Sequence, residues 1–156
     1  CEIELDKETG KIDILEMISI GEAGTIMHPK GMENQLVGGA VWGIGLSAYE
    51  RHLYDPQNGL PASTGYWQSK VPTYLDTPVK IETGWVDLPD PENPVGARGI
   101  GEPSMGSVSA ALTAAITDAL DGHIFGASPI TADMIINHVA GTSEKAVPLA
   151  QNNFRG

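Results

Sequence analysis

Alternating and four-residue spacings of apolar side chains divide this chain into strands and helices. Residues 2–6 and 11–20 form a predicted β-hairpin. Ile12, Ile14, Ile18 and Ile20 fall on alternate positions with Glu16 in the one gap, so one face of the second strand is mostly apolar. Asp6-Lys7-Glu8-Thr9-Gly10 supplies the turn, with Gly10 in the left-handed position. Met32 to Tyr49 is a predicted helix, because Leu36, Ala40, Ile44 and Ala48 share one side. Four glycines, Gly38, Gly39, Gly43 and Gly45, interrupt it at about 1 kcal/mol each relative to Ala, a cost that implies close approach by a neighbouring helix or a ligand. Asp55 to Pro78 is rich in Pro and Gly and is predicted as loop, its Tyr66, Trp67 and Tyr74 expected to anchor it on the core rather than to line a substrate wall. Val79 to Leu88 is a strand, with Val79, Ile81, Thr83 and Trp85 on one face. Ser104 to about Asp121 is a small-residue helix burying Val108, Leu112, Ala115 and Ala119, stopped by Gly122. Ile130 to Ala140 is a last helix, with Thr131 as its cap and Gly141 as its stop, and the polar tail from Thr142 is expected to be extended.

Strands and helices mix here without regular βαβ alternation. The expected architecture is a two-layer α+β domain, with a mixed or antiparallel sheet and helices packed on one side. Residues 1–141 would form this domain and 142–156 a polar tail.

Composition narrows the function classes. The chain has 156 residues, 41% of them hydrophobic, enough for one domain with a core. Its formal charge of −11 argues against nucleic acid or an anionic membrane as partner. No apolar run approaches the roughly 20 residues of a membrane span, and no signal peptide is visible, so a cytoplasmic location is expected. His28, His52, His123 and His138 are dispersed, match no metal-ligand spacing, and are expected to be surface or loop residues. The single cysteine, Cys1, excludes an internal disulfide framework and any iron–sulfur cluster held by this chain alone. At the first position it leaves three readings open: a portion of a longer protein, a processed N-terminal nucleophile, or a lipidated terminus.

The most informative stretch is Val95 to Ser104. Gly96, Gly99 and Gly101 free the backbone, Glu102 closes the loop, and Pro103 suits a first helical position. Glu102 therefore sits at or beside a helix N-cap with free N–H groups nearby. A plain cap is one reading. Against it, Glu caps less well than Ser, Thr, Asp or Asn, and capping does not require three glycines.

The wording of this loop, Gly99-Ile100-Gly101-Glu102-Pro103 followed by an Ala-rich helix, resembles the signature of the xanthine dehydrogenase/aldehyde oxidase family of molybdenum hydroxylases. Gly24-Thr25-Ile26-Met27-His28-Pro29, Gln35-Leu36-Val37-Gly38-Gly39-Ala40 and Gly43-Ile44-Gly45 resemble, in the same order, the segments that precede the Glu loop there. The likeness runs from about residue 10 to residue 140 but covers only the last part of such a large subunit.

The resemblance implies a cofactor-binding domain of the two-layer kind and assigns Glu102 as catalytic base. It assigns Gln35 to hydrogen-bond the pterin, and Arg98, Gly99, Ile100 and Gly101 to the loop that approaches the molybdenum–molybdopterin cofactor. The chemistry implied is hydroxylation of an aldehyde or an aromatic N-heterocycle, with water as the oxygen source. No residue of this chain is expected to ligate the metal. The remaining domains or subunits of the enzyme, carrying 2Fe-2S and in some cases FAD, are the implied partners, and an oligomer is expected. Three departures stand out: Glu22-Ala23-Gly24 replaces Asp-x-Gly, Ala97-Arg98 replaces Ser-Lys, and Ser104 replaces a second Pro. A catalytically silent module of the same fold, or an amidohydrolase using Cys1, are the alternatives.

Overall fold

The structure is a computed structural model describing residues 1–55 and 57–142. The expected extended tail lies almost wholly outside the described residues. Strands β1 (Glu2–Leu5) and β2 (Ile12–Glu22) pair antiparallel as a hairpin. Asp6 builds the turn by accepting from the N–H of Glu8 at 2.9 Å, and Gly10 closes it at φ +69°. Gly10 also lies against α4, described below, where a Cβ would stand 2.6 Å from the Ala132 carbonyl oxygen. On its other side β2 pairs in parallel with β3 (Lys80–Val86), giving a mixed three-stranded sheet in the order β1-β2-β3.

One expectation for β2 is corrected. Ile3 pairs with Ile14 while Glu2 pairs with Glu16, so Leu15 is an extra residue in the ladder. Such a bulge flips every following side chain to the opposite face. Ile12 and Ile14 face the core, but beyond the bulge Met17 and Ser19 are buried, and Ile18 and Ile20 are 55% and 67% exposed. In β3, Ile81 packs on the core, whereas Val79 lies outside the strand and is exposed.

Helix α1 (Pro29–Ile44) begins three residues earlier than its apolar spacing suggests. His28 is the reason. Its Nδ1 accepts from the Gly31 N–H at 2.7 Å, and Pro29 follows at the first helical position, where no N–H is needed. Leu36, Ala40 and Ile44 are fully buried as predicted, after which Gly45–Tyr49 widens into a π-helical turn. Ser47 in that turn is buried and shares a 2.6 Å hydrogen bond with Ser109.

Helix α3 (Pro103–Ala119) packs along α1, and its buried face is Ser104, Val108, Leu112 and Ile116. Ile116, rather than Ala115 or Ala119, completes that stripe. The glycines of α1 explain the close approach: Gly39 faces Ser104, and Gly43 faces Met105 and Val108. Gly38 has nothing near it. Helix α4 (Ala132–Val139) closes the core, with Gly141 at φ +62° as its stop. Thr131 stands at its N-cap, but the hydroxyl donates to Asp133 and accepts from Arg51 instead of capping.

The main core joins Ile14 and Met17 of the sheet to Ala40, Ile44, Leu112, Ile116 and Ile135 of the helices. A smaller cluster of Ala23, Met32 and Leu36 lies where β2 meets the start of α1.

The 50–78 region is loop with one helical turn, α2 (Tyr66–Ser69), and a short 3₁₀ turn at Tyr74–Asp76. Its aromatic residues do not anchor it. Tyr66, Trp67 and Tyr74 are 85–90% exposed, because the loop carries its own polar turns and leaves the rings outside.

Candidate functional site

The approach to Glu102 is assembled from two segments that the fold lays side by side. Residues 22–25 leave the end of β2, and residues 90–98 descend after β3. Gly24 and Ala97 form an isolated antiparallel bridge, flanked by Thr25 N–H to Gly96 C=O at 2.7 Å and Arg98 N–H to Ala23 C=O at 2.7 Å. Gly24 and Gly96 both have φ near +65 to +69°, and a Cβ on Gly24 would strike the Gly96 carbonyl. Asn93 fastens the same turn, its side-chain amide donating to the Ala97 carbonyl.

After Arg98 the pairing stops. The N–H groups of Gly99, Ile100, Gly101 and Glu102 donate to no protein acceptor among the described residues. Ile100 holds this stretch in place by packing its side chain on the Ala23, Met32 and Leu36 cluster. The glycines on either side therefore face outward with open space: nothing lies within 4 Å of a Cβ built on Gly99. On Gly101 the one neighbour is the Gln35 side-chain oxygen, at 3.9 Å. Gln35 reaches the loop from the second turn of α1, and its amide has no protein partner among the described residues. A hydrogen bond of 3.3 Å from the Ser104 hydroxyl to the Gln35 carbonyl ties the two helix starts together.

Glu102 occupies the N-cap position of α3 and is exposed, yet its side chain makes no capping hydrogen bond. Among the described residues its carboxylate has no hydrogen-bond donor, and the four N–H groups of residues 99–102 precede it in the chain. Arg98 is engaged on two sides: Nη1 pairs with Glu22 at 2.9 Å and Nε with Asp90 at 2.8 Å. The guanidinium hydrogen bond holds the Asp90 carboxyl below the usual carboxylate range, and Asp90 in turn raises the Arg98 pKa. Beside the loop lies a cleft of about 270 Å³ with Gln35, Arg98, Ile100 and His28 in its wall. A larger cavity of about 640 Å³, near Gly10 and Tyr49, holds none of the expected site residues.

The structure thus brings Gln35, Arg98, Gly99, Ile100, Gly101 and Glu102 to one place. Cys1 is exposed with a free thiol at the start of the hairpin. The four histidines are not all isolated: His123 and His138 stack at 3.6 Å between ring centroids, with Phe125 edge-on to His123. Among the described residues no group of His, Cys, Asp and Glu is arranged to hold a metal ion, and no helix is long and apolar enough to cross a membrane.

Comparison with known proteins decides the family. The description of the molybdopterin cofactor-binding domain matches residues 1–78, half of the chain. This chain belongs to the molybdopterin cofactor-binding domain family. Among curated relatives, a 6-hydroxypseudooxynicotine dehydrogenase complex subunit gamma of Paenarthrobacter nicotinovorans is 34% identical, over 92% of this chain and 18% of that protein. A putative xanthine dehydrogenase molybdenum-binding subunit of Escherichia coli is 28% identical, over 90% of this chain and 19% of that protein. Among solved structures, quinoline 2-oxidoreductase from Pseudomonas putida 86 superposes with a TM-score of 0.82 at 30% identity, over 90% of this chain and 18% of that one. The chain therefore spans less than a fifth of the length of the relatives it matches.

This cofactor-binding domain carries a donor set suited to its ligand class. A run of free N–H groups, two glycines without Cβ, and an amide offering both donors and an acceptor match the many acceptor and donor atoms of a pterin. The residues present fit the group. Two features of the site were absent from the sequence reading: the Glu22–Arg98–Asp90 cluster and the inward packing of Ile100. The spacing of Glu22 two residues before a glycine, and of Asp90 in a proline-rich turn, were the available signals.

Proposed function

We propose that this chain contributes the base-bearing loop of a molybdenum hydroxylase large subunit, which oxidises an aldehyde or an aromatic N-heterocycle with water as the oxygen source. The observation that carries this reading is the Glu102 carboxylate, which stands at a helix N-terminus without capping it, one residue after Gly101, whose open face meets the Gln35 side chain. A carboxylate that served only as a cap would be bonded to the N–H groups it faces.

The molybdenum cofactor, when bound, supplies the metal centre that takes up electrons from the substrate. The Gln35 amide would both accept from and donate to the pterin. Gly99, Ile100 and Gly101 offer backbone N–H groups to its polar atoms, and Ile100 keeps that backbone from shifting by filling the small apolar cluster. Arg98 borders the same cleft. Glu102 would accept a proton from the water that provides the oxygen.

A chain of this extent encloses only part of such a ligand. The reading therefore includes partners: the remaining domains or subunits of a large enzyme, with 2Fe-2S and FAD centres carried elsewhere in it. Relatives whose names describe complex or molybdenum-binding subunits support that.

The test is the molybdenum and pterin content of the protein purified from its native source, by mass spectrometry and pterin fluorescence. Near-stoichiometric content that falls in Gln35→Ala supports the reading. Protein purified intact without either component would overturn it.

A further inference from the structure

We propose that Glu22, Arg98 and Asp90 form a positioning clamp that sets where the free tip of the Glu102 loop stands. The inference rests on the reading of Glu102 as base and adds the device that aims it.

The geometry is one cation held between two carboxylates on separate segments. Nη1 of Arg98 reaches Glu22 Oε2 at 2.9 Å, at the end of β2, and Nε reaches Asp90 Oδ2 at 2.8 Å, after β3. Glu22 is itself fixed, since its other oxygen accepts from the Gly24 N–H at 2.6 Å. Asp90 is tied back as well, its N–H donating to the Gly96 carbonyl at 2.9 Å. A planar guanidinium can serve two carboxylates along two edges at once; an ammonium in the same place cannot reproduce both directions.

The clamp sits where the backbone pairing ends. Arg98 N–H is the last donor of the 90–98 segment to find a protein acceptor, and the next four residues run free to Glu102. From that point only the Ile100 side chain and the start of α3 locate the loop. The direction in which residues 99–102 leave the bridge is therefore set by the residue that closes it, Arg98, through its side chain.

Exposed ion pairs contribute little to stability, about 0–1 kcal/mol each. Arg98 is 47% exposed, Glu22 33% and Asp90 17%, so the Glu22 pair at least does not explain itself as a fold stabiliser. Both pairs do restrict orientation, and orientation is what general-base chemistry needs: a misplacement of about 1 Å can cost about 100-fold in rate.

The test uses the complete, cofactor-loaded protein with Arg98→Ala, Arg98→Lys and Glu22→Gln, and Glu102→Gln as the reference. Arg98→Ala is expected to lower kcat by about 10- to 100-fold, with KM unchanged and faster amide hydrogen exchange at residues 99–102. Arg98→Lys should restore part of kcat, because one of the two pairs can re-form, and Glu22→Gln should fall between. Unchanged kcat and exchange in Arg98→Ala, with Glu102→Gln inactive, would overturn the clamp and leave the base reading standing. Loss of cofactor from Arg98→Ala with exchange at residues 99–102 unchanged would also overturn it, by making Arg98 a direct ligand. If Glu102→Gln keeps its turnover, the base reading falls, and exchange at residues 99–102 alone decides the clamp: faster in Arg98→Ala supports it, unchanged overturns it.

Discussion

Gly39 of α1 and Ser104 of α3 meet where the two helices cross, so closely that a Cβ on Gly39 would stand 2.7 Å from that of Ser104. Ser104 also bonds the Gln35 carbonyl, so this crossing fixes the start of α3, and with it Glu102, against α1. The neighbouring Gly38 faces open space. The two adjacent glycines should therefore respond oppositely to the same substitution. Gly39→Ala is expected to destabilise by about 1–3 kcal/mol through overpacking, whereas Gly38→Ala should stabilise by about 1 kcal/mol through helix propensity. Thermal unfolding of both variants checks this, and a shift of the same sign in the two would refute the account of the crossing.

The aromatic side chains of the 60–79 region make a second contrast. Trp67 is 85% exposed and Leu75 92%, values typical of residues that hold nothing in this chain. Trp67→Ala should change unfolding stability by no more than about 0.5 kcal/mol. Apolar surface of this size in one region is usually covered in a working assembly. Acrylamide should therefore quench Trp67 strongly in this chain alone and weakly in the complete enzyme. Equal quenching in the two would remove the case for a covering partner here.

Acid should loosen the connection between the two segments of the site. Arg98 holds the folded-state pKa of Asp90 below the ordinary aspartate value. A depressed carboxylate contributes its stabilisation above the unfolded pKa and loses it as pH falls through the lower, folded value. The Asp90–Arg98 pair is then intact at neutral pH and opens only in the strongly acidic range. Carboxyl carbon NMR of Asp90 should titrate below an ordinary aspartate, and Arg98→Ala should raise it part of the way, the Glu92 N–H still holding it down. An Asp90 titration unmoved by Arg98→Ala would contradict the pairing.

Much of this architecture is legible in the sequence, for identifiable reasons. Leu36, Ala40 and Ile44 keep helical spacing without interruption, and Gly10 and Gly141 occupy the positive-φ positions that their turns require. The Glu102 loop was legible because Gly, Glu and Pro each impose a local geometry. What the sequence hid depends on contacts between distant residues. A one-residue bulge at Leu15 reversed the faces of Ile18 and Ile20, and periodicity carries no mark of a bulge. The Arg98 clamp joins positions 76 residues apart, and the His123–His138 stack forms only once α4 folds back. His28 is exposed, as expected, but its part as the cap of α1 depends on the turn that brings Nδ1 to the Gly31 N–H.

Glu102 offers the sharpest test of what the site does. Its side chain makes no hydrogen bond to α3, so Glu102→Gln, which preserves size, should leave the melting temperature essentially unchanged. In the complete, cofactor-loaded enzyme the same change removes the proton acceptor. The rate of substrate oxidation should then fall by about 10²–10⁴-fold, the usual contribution of a general base. Cofactor content should hold, since Gln35 and the N–H groups of Gly99–Gly101 are untouched. The loss should appear in the half-reaction that reduces the cofactor, measured by stopped-flow under single turnover, and not in its reoxidation. If Glu102→Gln instead melts lower while turning over within a few-fold of the parent, the carboxylate is a helix-end charge and the base lies outside this chain.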